Sequence, residues 1–433
     1  MHRLKVHKLG PIDHCELTCS QFMTFTGFQA SGKSTIAKAI FYFRTIKDDI
    51  YSIAEEKALN VYSLENSYAN TKLKKLLIDK LREKFLRVFG SSWGMDNEMY
   101  LEYHYTKQCS IKITLKEETL YPTPNYIWID LSPQLSTFLE TNNNALTANA
   151  LGVPEQQKQK FQLDLWTFFD DSFDVVYIPA GRSMLTLLSQ QLSYIYTTMK
   201  DSQKRTLDYC TQDYIERILS LKPEFSSGLA GVMAYYGSKN GLPKSTISLA
   251  LELINKILRG SYCFSNGEER ITLSDNRYVK INFASSGQQE SVWILNLLFY
   301  YLVKNNPVLF IIEEPESHLF PESQKFITEL IALVNNFHHS VVLTTHSPYV
   351  LGTLNNLLYA GQTPLNLHSQ ASEIISELLW VNYNSFNAWF VKNGGIEPCL
   401  DSEVRLIENE KIDEISKVIN RDFDKLFDLQ IDE

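Results

Sequence analysis

The chain has 433 residues, of which 44% are hydrophobic and 21% charged, and its formal net charge is −9 at pH 7. A chain of this length is too long to fold around one hydrophobic core of ordinary size, so two or three lobes are expected. The composition is typical of a globular protein. The negative charge argues against a generally basic nucleic-acid surface but leaves open a local basic patch. The sequence does not open on an apolar signal core, and apolar runs such as 308–312 are far shorter than a membrane span. We therefore expect a cytoplasmic protein with no membrane partner.

Residues 22–35 predict a strand, a glycine-rich loop and the start of a helix. The loop reads Gly-x-x-x-x-Gly-Lys-Ser, and it lies between an apolar, β-prone run and good helix-forming sequence. Its glycines let successive N–H groups turn inward around an anion, and the helix N-terminus adds partial positive charge. The pattern therefore predicts a phosphate-binding P-loop, in which Lys33 contacts the β- and γ-phosphates and the Ser34 hydroxyl binds Mg²⁺. The candidate nucleotide-binding residues are Gly27, Phe28, Gln29, Ala30, Ser31, Gly32, Lys33, Ser34 and Thr35.

Two short strands around Gly10-Pro11 precede the P-loop, and the segment after its helix matches no nucleotide motif. In that segment, residues 71–89 form an amphipathic helical pattern with a basic outer face. The basic residues are Lys72, Lys74, Lys75, Lys80, Arg82, Lys84 and Arg87. We interpret this face first as a solvated helix surface, and contact with phosphates or an acidic partner stays open. Alternating strands are predicted at 100–105, 111–115 and 126–129.

The second half of the chain predicts an α/β core with a helical insertion. Residues 174–179 form a continuous apolar strand of the kind buried in a parallel sheet. Two helical patterns follow, from Met184 to Pro223 and at 245–258, and they are interpreted as a short helical hairpin. Beyond Gly260, strands lead into alternating helices and strands. The predicted fold class is therefore α/β, a P-loop sheet flanked by helices, with helical and β insertions.

The apolar strand at 308–313 ends in two adjacent carboxylates, Glu313 and Glu314. Neighbouring side chains at a strand end point to different sides, so the two groups can have different roles. One can hold Mg²⁺ directly or through water, and the other can orient or deprotonate the water that attacks the γ-phosphate. We accordingly predict Glu313 as the metal-side group and Glu314 as the catalytic base.

Two further segments are candidates for the same site. Ser286, Gly287 and Gln288 precede a helix, where a hydroxyl group, backbone N–H groups and the helix dipole can bind a phosphate. The same sequence is also an ordinary helix cap. His346 follows a buried strand whose end lies at the same sheet edge as Glu314, although a lone histidine there is more often structural. Lys33, Glu314 and His346 form the predicted catalytic set.

Taken in order, these segments resemble the ABC-type ATPases, in the branch of the structural-maintenance-of-chromosomes (SMC) and OLD-like proteins. Residues 27–34 match the Walker A motif, 285–289 the signature, 309–314 the Walker B motif and His346 the switch histidine. The phrase Tyr-Ile-Pro-Ala-Gly-Arg-Ser at 177–183 is similar to an element of a prokaryotic subgroup with many anti-phage defence ATPases. The usual Walker B aspartate is replaced here by a glutamate, so its contact with Mg²⁺ is expected to pass through water.

The resemblance implies ATP and Mg²⁺ as cofactors and a head-to-head dimer, with a higher homo-oligomer such as a hexamer. In such a dimer, Ser286, Gly287 and Gln288 of one subunit close on the ATP held by the other. The resemblance further implies an ATP-hydrolysing sensor and scaffold that holds a separate toxin or Toprim-type nuclease and answers a phage trigger protein. Too few residues follow His346 for the Toprim nuclease of OLD proteins, so this chain is not expected to cleave nucleic acid itself.

The alternative function is a DNA-binding, SMC-like repair ATPase that places the basic face of 71–89 on phosphates. Nucleic-acid binding therefore stays open, and salt-sensitive, ATP-gated DNA binding would favour this alternative. A metabolic P-loop kinase is a third interpretation, disfavoured by the signature-like segment at Ser286 and by Glu314.

The predicted organisation divides the chain into six segments. They are an N-terminal part of the ATPase head at 1–48, a mixed α/β insertion at 49–165, a return to the head at 166–183, a helical hairpin or lid at 184–260, the C-terminal part of the head at 261–360 and a helical tail at 361–433. The tail contains an amphipathic helix at 411–427. We interpret it as docked on the ATPase core, with an exposed recruitment helix as the alternative.

Overall fold

A computed structural model describes residues 2–59, 71–118, 121–149, 152–187, 208–237, 240–273, 277–408 and 418–424. Its strands are β1 (Arg3–Leu9), β2 (Ile12–Thr18), β3 (Phe22–Gly27), β4 (Tyr100–His104), β5 (Ser110–Glu118), β6 (Tyr121–Leu131), β7 (Asp174–Ile178), β8 (Ser261–Ser265), β9 (Glu268–Thr272), β10 (Tyr278–Lys280), β11 (Val308–Glu313), β12 (Ser340–Thr344), β13 (Phe386–Lys392) and β14 (Gly395–Pro398). Its helices are α1 (Lys33–Arg44), α2 (Ile46–Leu59), α3 (Leu73–Phe89), α4 (Pro133–Thr141), α5 (Glu155–Phe169), α6 (Arg182–Leu187), α7 (Tyr209–Leu221), α8 (Gly228–Tyr236), α9 (Lys244–Leu258), α10 (Ser286–Lys304), α11 (Pro321–Asn335), α12 (Pro348–Ala360) and α13 (His368–Ile374).

The central sheet has the strand order β14-β13-β3-β12-β11-β7. Neighbours from β13 to β7 run parallel, and β14 pairs antiparallel with β13 at one edge. Every residue of β11 and β12 is buried, which explains their continuous apolar sequences. Because parallel strands share the direction of their carboxyl ends, Gly27, Glu313 and Thr344 lie at one edge of this sheet. The predicted α/β fold class is confirmed.

A second sheet, of order β2-β1-β4-β5-β6, is antiparallel and carries the β insertion. One face contributes buried side chains to a core shared with α1, α2 and α3. The predicted amphipathic helix at 71–89 corresponds to α3, which buries Leu77, Leu81 and Phe85. Several of its basic residues are paired within the chain. Lys84 Nζ lies 2.5 Å from a carboxylate oxygen of the buried Asp49, and Lys80 Nζ lies 3.5 Å from the other.

A third, small sheet of order β10-β9-β8 is joined to the helical region by a buried carboxylate. Glu269 accepts hydrogen bonds from the Tyr262 hydroxyl and from Trp293 Nε1, both at 2.9 Å. Lys222 Nζ lies 2.9 Å from the second carboxylate oxygen of Glu269. A buried charge of this kind is stable only with such partners, so Glu269 fixes the small sheet against α10.

Two segments differ from the predicted organisation. The helical hairpin predicted at 184–260 contains a third described helix, α8, because Pro223 and Gly228 end the first helical pattern and begin another. Half of that first pattern, residues 188–207, lies outside the described residues. In the predicted helical tail, β13 and β14 instead extend the central sheet, since Phe386–Lys392 pairs in parallel with the P-loop strand β3.

Most of the predicted tail helix at 411–427 lies outside the described residues. Residues 418–424 are helical, and Ile419 and Phe423 of its apolar face are 59% and 64% exposed. Docking of this helix on the ATPase core and its alternative, an exposed recruitment helix, both stay predictions. Among the helices that the structure describes, none is both long enough and apolar enough to cross a membrane.

Candidate nucleotide-binding site

The loop between β3 and α1 has the backbone conformation that its glycines allow. Gly27, Ala30 and Gly32 have φ angles of 136°, 58° and 109°. A Cβ on Gly27 would lie 2.2 Å from the Val391 carbonyl oxygen, and one on Gly32 would lie 2.3 Å from Ile12 Cδ1. The two glycines are therefore required for close packing as well as for positive φ.

We expect Gly27→Ala to destabilise the fold by about 1–3 kcal/mol, because the new methyl group would overlap the backbone of β13. Urea unfolding measures this change, and ATP binding should weaken with it. Gly352→Ala is the matched control, since Gly352 lies inside α12 with no atom within 4 Å of the added Cβ. It should raise stability by about 0.5–1 kcal/mol. Equal effects of the two changes would contradict the steric explanation.

Lys33 begins α1 and is folded back onto the loop. Its Nζ donates hydrogen bonds to the carbonyl oxygens of Gly27 at 3.1 Å and Phe28 at 2.7 Å. Burial lowers the pKa of Lys33 to about 8, against the opposing effect of the nearby Glu314 and Glu316 carboxylates. The ammonium group is thus held by neutral carbonyls that a phosphate could replace.

Glu313 ends β11 and is 5% exposed. Its Oε2 accepts a weak hydrogen bond from the Ala180 amide at 3.4 Å, while Oε1 is buried and has no hydrogen-bond partner among the described residues. In the described part of the chain, no group of three acidic, histidine or cysteine side chains could hold a metal by itself. This arrangement fits Mg²⁺, which keeps several waters and takes phosphate oxygens as ligands. Glu313 and Ser34, which is exposed in the first turn of α1, are the residues that would hold it.

Glu314 follows β11 with a φ of 43°, a left-handed conformation that costs about 1–2 kcal/mol for a residue with a Cβ. Its amide donates to the Thr344 carbonyl at 2.9 Å. Its Oε1 lies 3.4 Å from His346 Nε2, and its Oε2 accepts from the Ser317 hydroxyl at 3.3 Å. The hydrogen bond from His346, aided by the Lys33 charge, lowers the pKa of Glu314. The carboxylate is therefore held in its ionised form, the form that a proton acceptor needs.

Glu316 is a site residue that the sequence analysis missed. Its Oε1 accepts hydrogen bonds from the Thr345 hydroxyl at 2.7 Å and from the His346 amide at 2.8 Å. Glu316 therefore fixes the backbone of the switch histidine beside Glu314. The available signal was the third glutamate in Glu-Glu-Pro-Glu, two residues after the strand-ending pair.

The signature-like segment forms the first turn of α10. Ser285 is the N-cap and shares a capping box with Gln288, whose Nε2 also donates to the Leu258 carbonyl at 2.7 Å. The structure therefore gives Gln288 a capping role, and its contact with the nucleotide of a second subunit stays a prediction. Ser286 is exposed. A Cβ on Gly287 would lie 2.8 Å from the His318 carbonyl oxygen, so this turn packs closely on the segment that follows Glu314.

A cavity of about 620 Å³ adjoins the P-loop. Its polar lining comes from the β1–β2 region, from α1 and from the segment after α3. The polar lining residues include Lys8, Asp13, Ser34, Thr35, Lys38 and Asp96. The volume suits the base and sugar of a nucleotide whose phosphates occupy the loop.

A P-loop beside a strand that ends in two carboxylates defines a P-loop nucleoside triphosphatase. The chain belongs to the AAA ATPase domain family, whose model matches residues 1–351, and is therefore an ATPase by class. None of the curated proteins matches its sequence.

Among solved structures, the chain is similar to three SMC head domains. One is an SMC head bound to the C-terminal winged-helix domain of ScpA, with 11% identity, a TM-score of 0.41, and coverage of 93% of this chain and 97% of that one. The SMC head domain from Thermotoga maritima has 12% identity and a TM-score of 0.36, with 92% and 97% covered. The SMC head with an extended coiled coil, bound to the C-terminal domain of ScpA derived from Pyrococcus furiosus, has 11% identity and a TM-score of 0.37, with 92% and 96% covered.

Proposed function

We propose that this chain is a Mg²⁺-dependent ATPase whose active sites form between two copies arranged head to head. The observation that carries the proposal is that Lys33, Glu313, Glu314 and His346 all lie at the carboxyl edge of the central sheet. A lysine for phosphate, a carboxylate for Mg²⁺ and a second carboxylate as base are the parts that phosphoryl transfer to water requires.

In the proposed reaction, Lys33 exchanges its bonds to the loop carbonyls for bonds to the β- and γ-phosphates. Glu314 accepts a proton from the attacking water, and His346 holds the carboxylate in place. Glu313 and Ser34 would hold Mg²⁺, which neutralises the charge that develops on the phosphates. The loop N–H groups and the dipole of α1 stabilise the same charge.

Exposed aromatic side chains beside the site segments support closure by a second copy. Phe28 lies in the P-loop, Phe283 before the signature segment, Phe320 after the Walker B motif and Tyr349 after His346. They are 64%, 81%, 74% and 54% exposed, respectively. Contiguous exposed apolar patches near a functional site are typical of protein–protein contacts, and we propose that these four side chains contribute to such a patch. A second copy would cover them and bring its own Ser286 to the nucleotide.

We expect Ser286→Arg to retain ATP binding and to lose hydrolysis, because the substituted group acts on the partner's nucleotide. Mixing it with Lys33→Ala should restore roughly a quarter of the wild-type rate, since half of the random dimers are mixed and each has one intact site. Steady-state phosphate release measures both effects, and each variant alone is the control. Mixed dimers isolated by two different tags that hydrolyse no ATP would contradict the trans arrangement.

We further propose that ATP occupancy holds a separate toxin or Toprim-type nuclease, which a phage protein releases. Support comes from the likeness of residues 177–183 to a defence subgroup that includes the ATPase subunit of the PARIS system, which works with a Toprim-type effector. Three basic residues of the α3 face are paired with carboxylates of the chain itself, which reduces the charge that this face could offer to DNA in the alternative function. Lys74 lies 3.8 Å from a carboxylate oxygen of Glu140, and Lys80 and Lys84 pair with Asp49.

The test compares the two functions in one experiment. The chain is co-expressed with the product of the adjacent gene and isolated with and without ATP, and DNA binding is measured across salt concentrations. The scaffold function would be supported if Glu314→Gln retained the protein encoded by the adjacent gene and Lys33→Ala lost it. ATP-gated DNA binding that weakens steeply with salt, without retention of a protein, would favour the repair ATPase.

A further inference from the structure

Arg182 lies just beyond β7 and is completely buried. Its guanidinium Nη1 donates to the carbonyl oxygens of Pro179 and Glu313, both at 2.6 Å, and its Nη2 donates to the Glu314 carbonyl at 2.9 Å. Because β7 and β11 are neighbours in the sheet, the arginine spans the two strand ends. It thereby fixes the backbone of Glu313, the predicted metal-side group, and of the left-handed Glu314, the predicted catalytic base.

The same guanidinium is paired with the signature helix. Nη2 of Arg182 lies 3.2 Å from Glu290 Oε1, and Nε donates to the Glu290 carbonyl at 3.2 Å. The two Glu290 carboxylate oxygens accept the amides of Arg182 at 2.9 Å and Ser183 at 2.5 Å. Glu290 is 1% exposed and lies one helical turn after Ser286, so it connects the turn that carries Ser286 to Arg182.

Gly287 provides a second connection between the same elements. The absence of a Cβ lets this residue approach the His318 carbonyl, in the segment that follows Glu314. The first turn of α10 and the turn after β11 are therefore joined on two sides, and a displacement of one displaces the other. A planar guanidinium that contacts four carbonyls and a carboxylate cannot follow such a displacement without losing bonds.

We propose that Arg182 and Glu290 are positioning residues that couple the two ATP sites of a dimer. The inference rests on the proposed function, in which Ser286 acts on the nucleotide of the partner while Glu314 acts on the nucleotide of its own subunit. Closure of Ser286 on one nucleotide then sets the backbone of Glu314 at the other through this pair.

The test is the ATP dependence of hydrolysis by Arg182→Lys and Glu290→Gln. Wild type should show a Hill coefficient above 1. Both variants should bind ATP within about twofold of wild type, since neither side chain faces the P-loop, while kcat falls about 10- to 100-fold and the Hill coefficient falls to 1. Arg182→Lys keeps the buried positive charge, and Glu290→Gln keeps the side-chain volume, so at least one should remain folded.

Arg217→Lys is the matched control. Arg217 is a half-buried arginine, bonded to Asp174 at 3.0 Å, to the Tyr301 hydroxyl at 2.6 Å and to the Val175 carbonyl at 3.0 Å, but these contacts lie at the opposite end of β7. It should lower thermal stability and leave kcat and the Hill coefficient unchanged. A wild-type Hill coefficient in folded Arg182→Lys, or an equal loss of kcat in Arg217→Lys, would overturn the proposal. If the proposed dimer itself were wrong, Ser286→Arg would keep full activity in a chain that carries the wild-type Arg182.

Discussion

Glu314→Gln is expected to lower kcat for ATP by about 10²–10⁴-fold while ATP stays bound, the range typical for loss of a general base. Glutamine preserves the size of the side chain and can still accept a hydrogen bond from His346, but it cannot accept the proton of the attacking water. The bound nucleotide then remains unhydrolysed, and the dimer that it closes accumulates. Single-turnover hydrolysis and size-exclusion chromatography with ATP measure the two effects.

Glu322→Gln is the control for that change. Glu322 lies in the first turn of α11, is largely exposed and pairs at 3.1 Å with the exposed Arg259, so its removal should leave kcat unchanged. Because the pKa of Glu314 is lowered, the wild-type rate of hydrolysis should stay constant down to a pH below the pKa of an ordinary glutamate, and should fall only at lower pH. This fall at low pH should be absent from Glu314→Gln. Unchanged turnover in Glu314→Gln would remove the assignment of the base.

The features of the site that can be predicted from the sequence are those set by neighbouring residues. Gly27, Gly32 and Lys33 are recognisable because one short segment supplies the turn, the charge and the helix start. Glu313 and Glu314 are recognisable because an apolar strand ends in both. These local patterns also place the strands at one sheet edge, since parallel strands alternate with helices in the chain.

What could not be predicted depends on contacts between segments distant in the chain. Arg182 contributes to the site through hydrogen bonds to carbonyl groups of residues that lie more than a hundred positions away in the sequence. Gln288 fits a local helix-cap pattern, but the hydrogen bond from its Nε2 to the Leu258 carbonyl, 30 residues away, does not follow from that pattern. β13 mixes Asn387 and Lys392 with apolar residues, so only its pairing with β3 identifies it as a strand of the central sheet. Such features require the tertiary structure because no local pattern specifies the partner.

Lys33→Ala is expected to weaken ATP binding by at least about 100-fold. Hydrogen bonds from a charged group contribute about 1.5–3 kcal/mol each, and Lys33 would make them to two phosphates. The low pKa of Lys33, about 8 in the absence of nucleotide, adds a pH dependence. Phosphate favours the protonated amine, so the affinity for ATP should be highest below pH 8. It should decline as the pH rises through 8, by up to about tenfold per pH unit. Titration calorimetry at pH 7, 8 and 9 measures this decline.

Two variants separate this explanation from general effects of pH. Lys33→Ala should bind ATP weakly at every pH, because the group that titrates is gone. Lys5→Ala, a change on the exposed face of β1 where Lys5 lies 3.6 Å from a carboxylate oxygen of Glu16, should retain both the affinity and the decline above pH 8. If the affinity of Lys33→Ala for ATP declined with pH as steeply as that of wild type, another group would be responsible for the decline. Lys33 would then stay charged above pH 8 while it is bonded to the loop carbonyls.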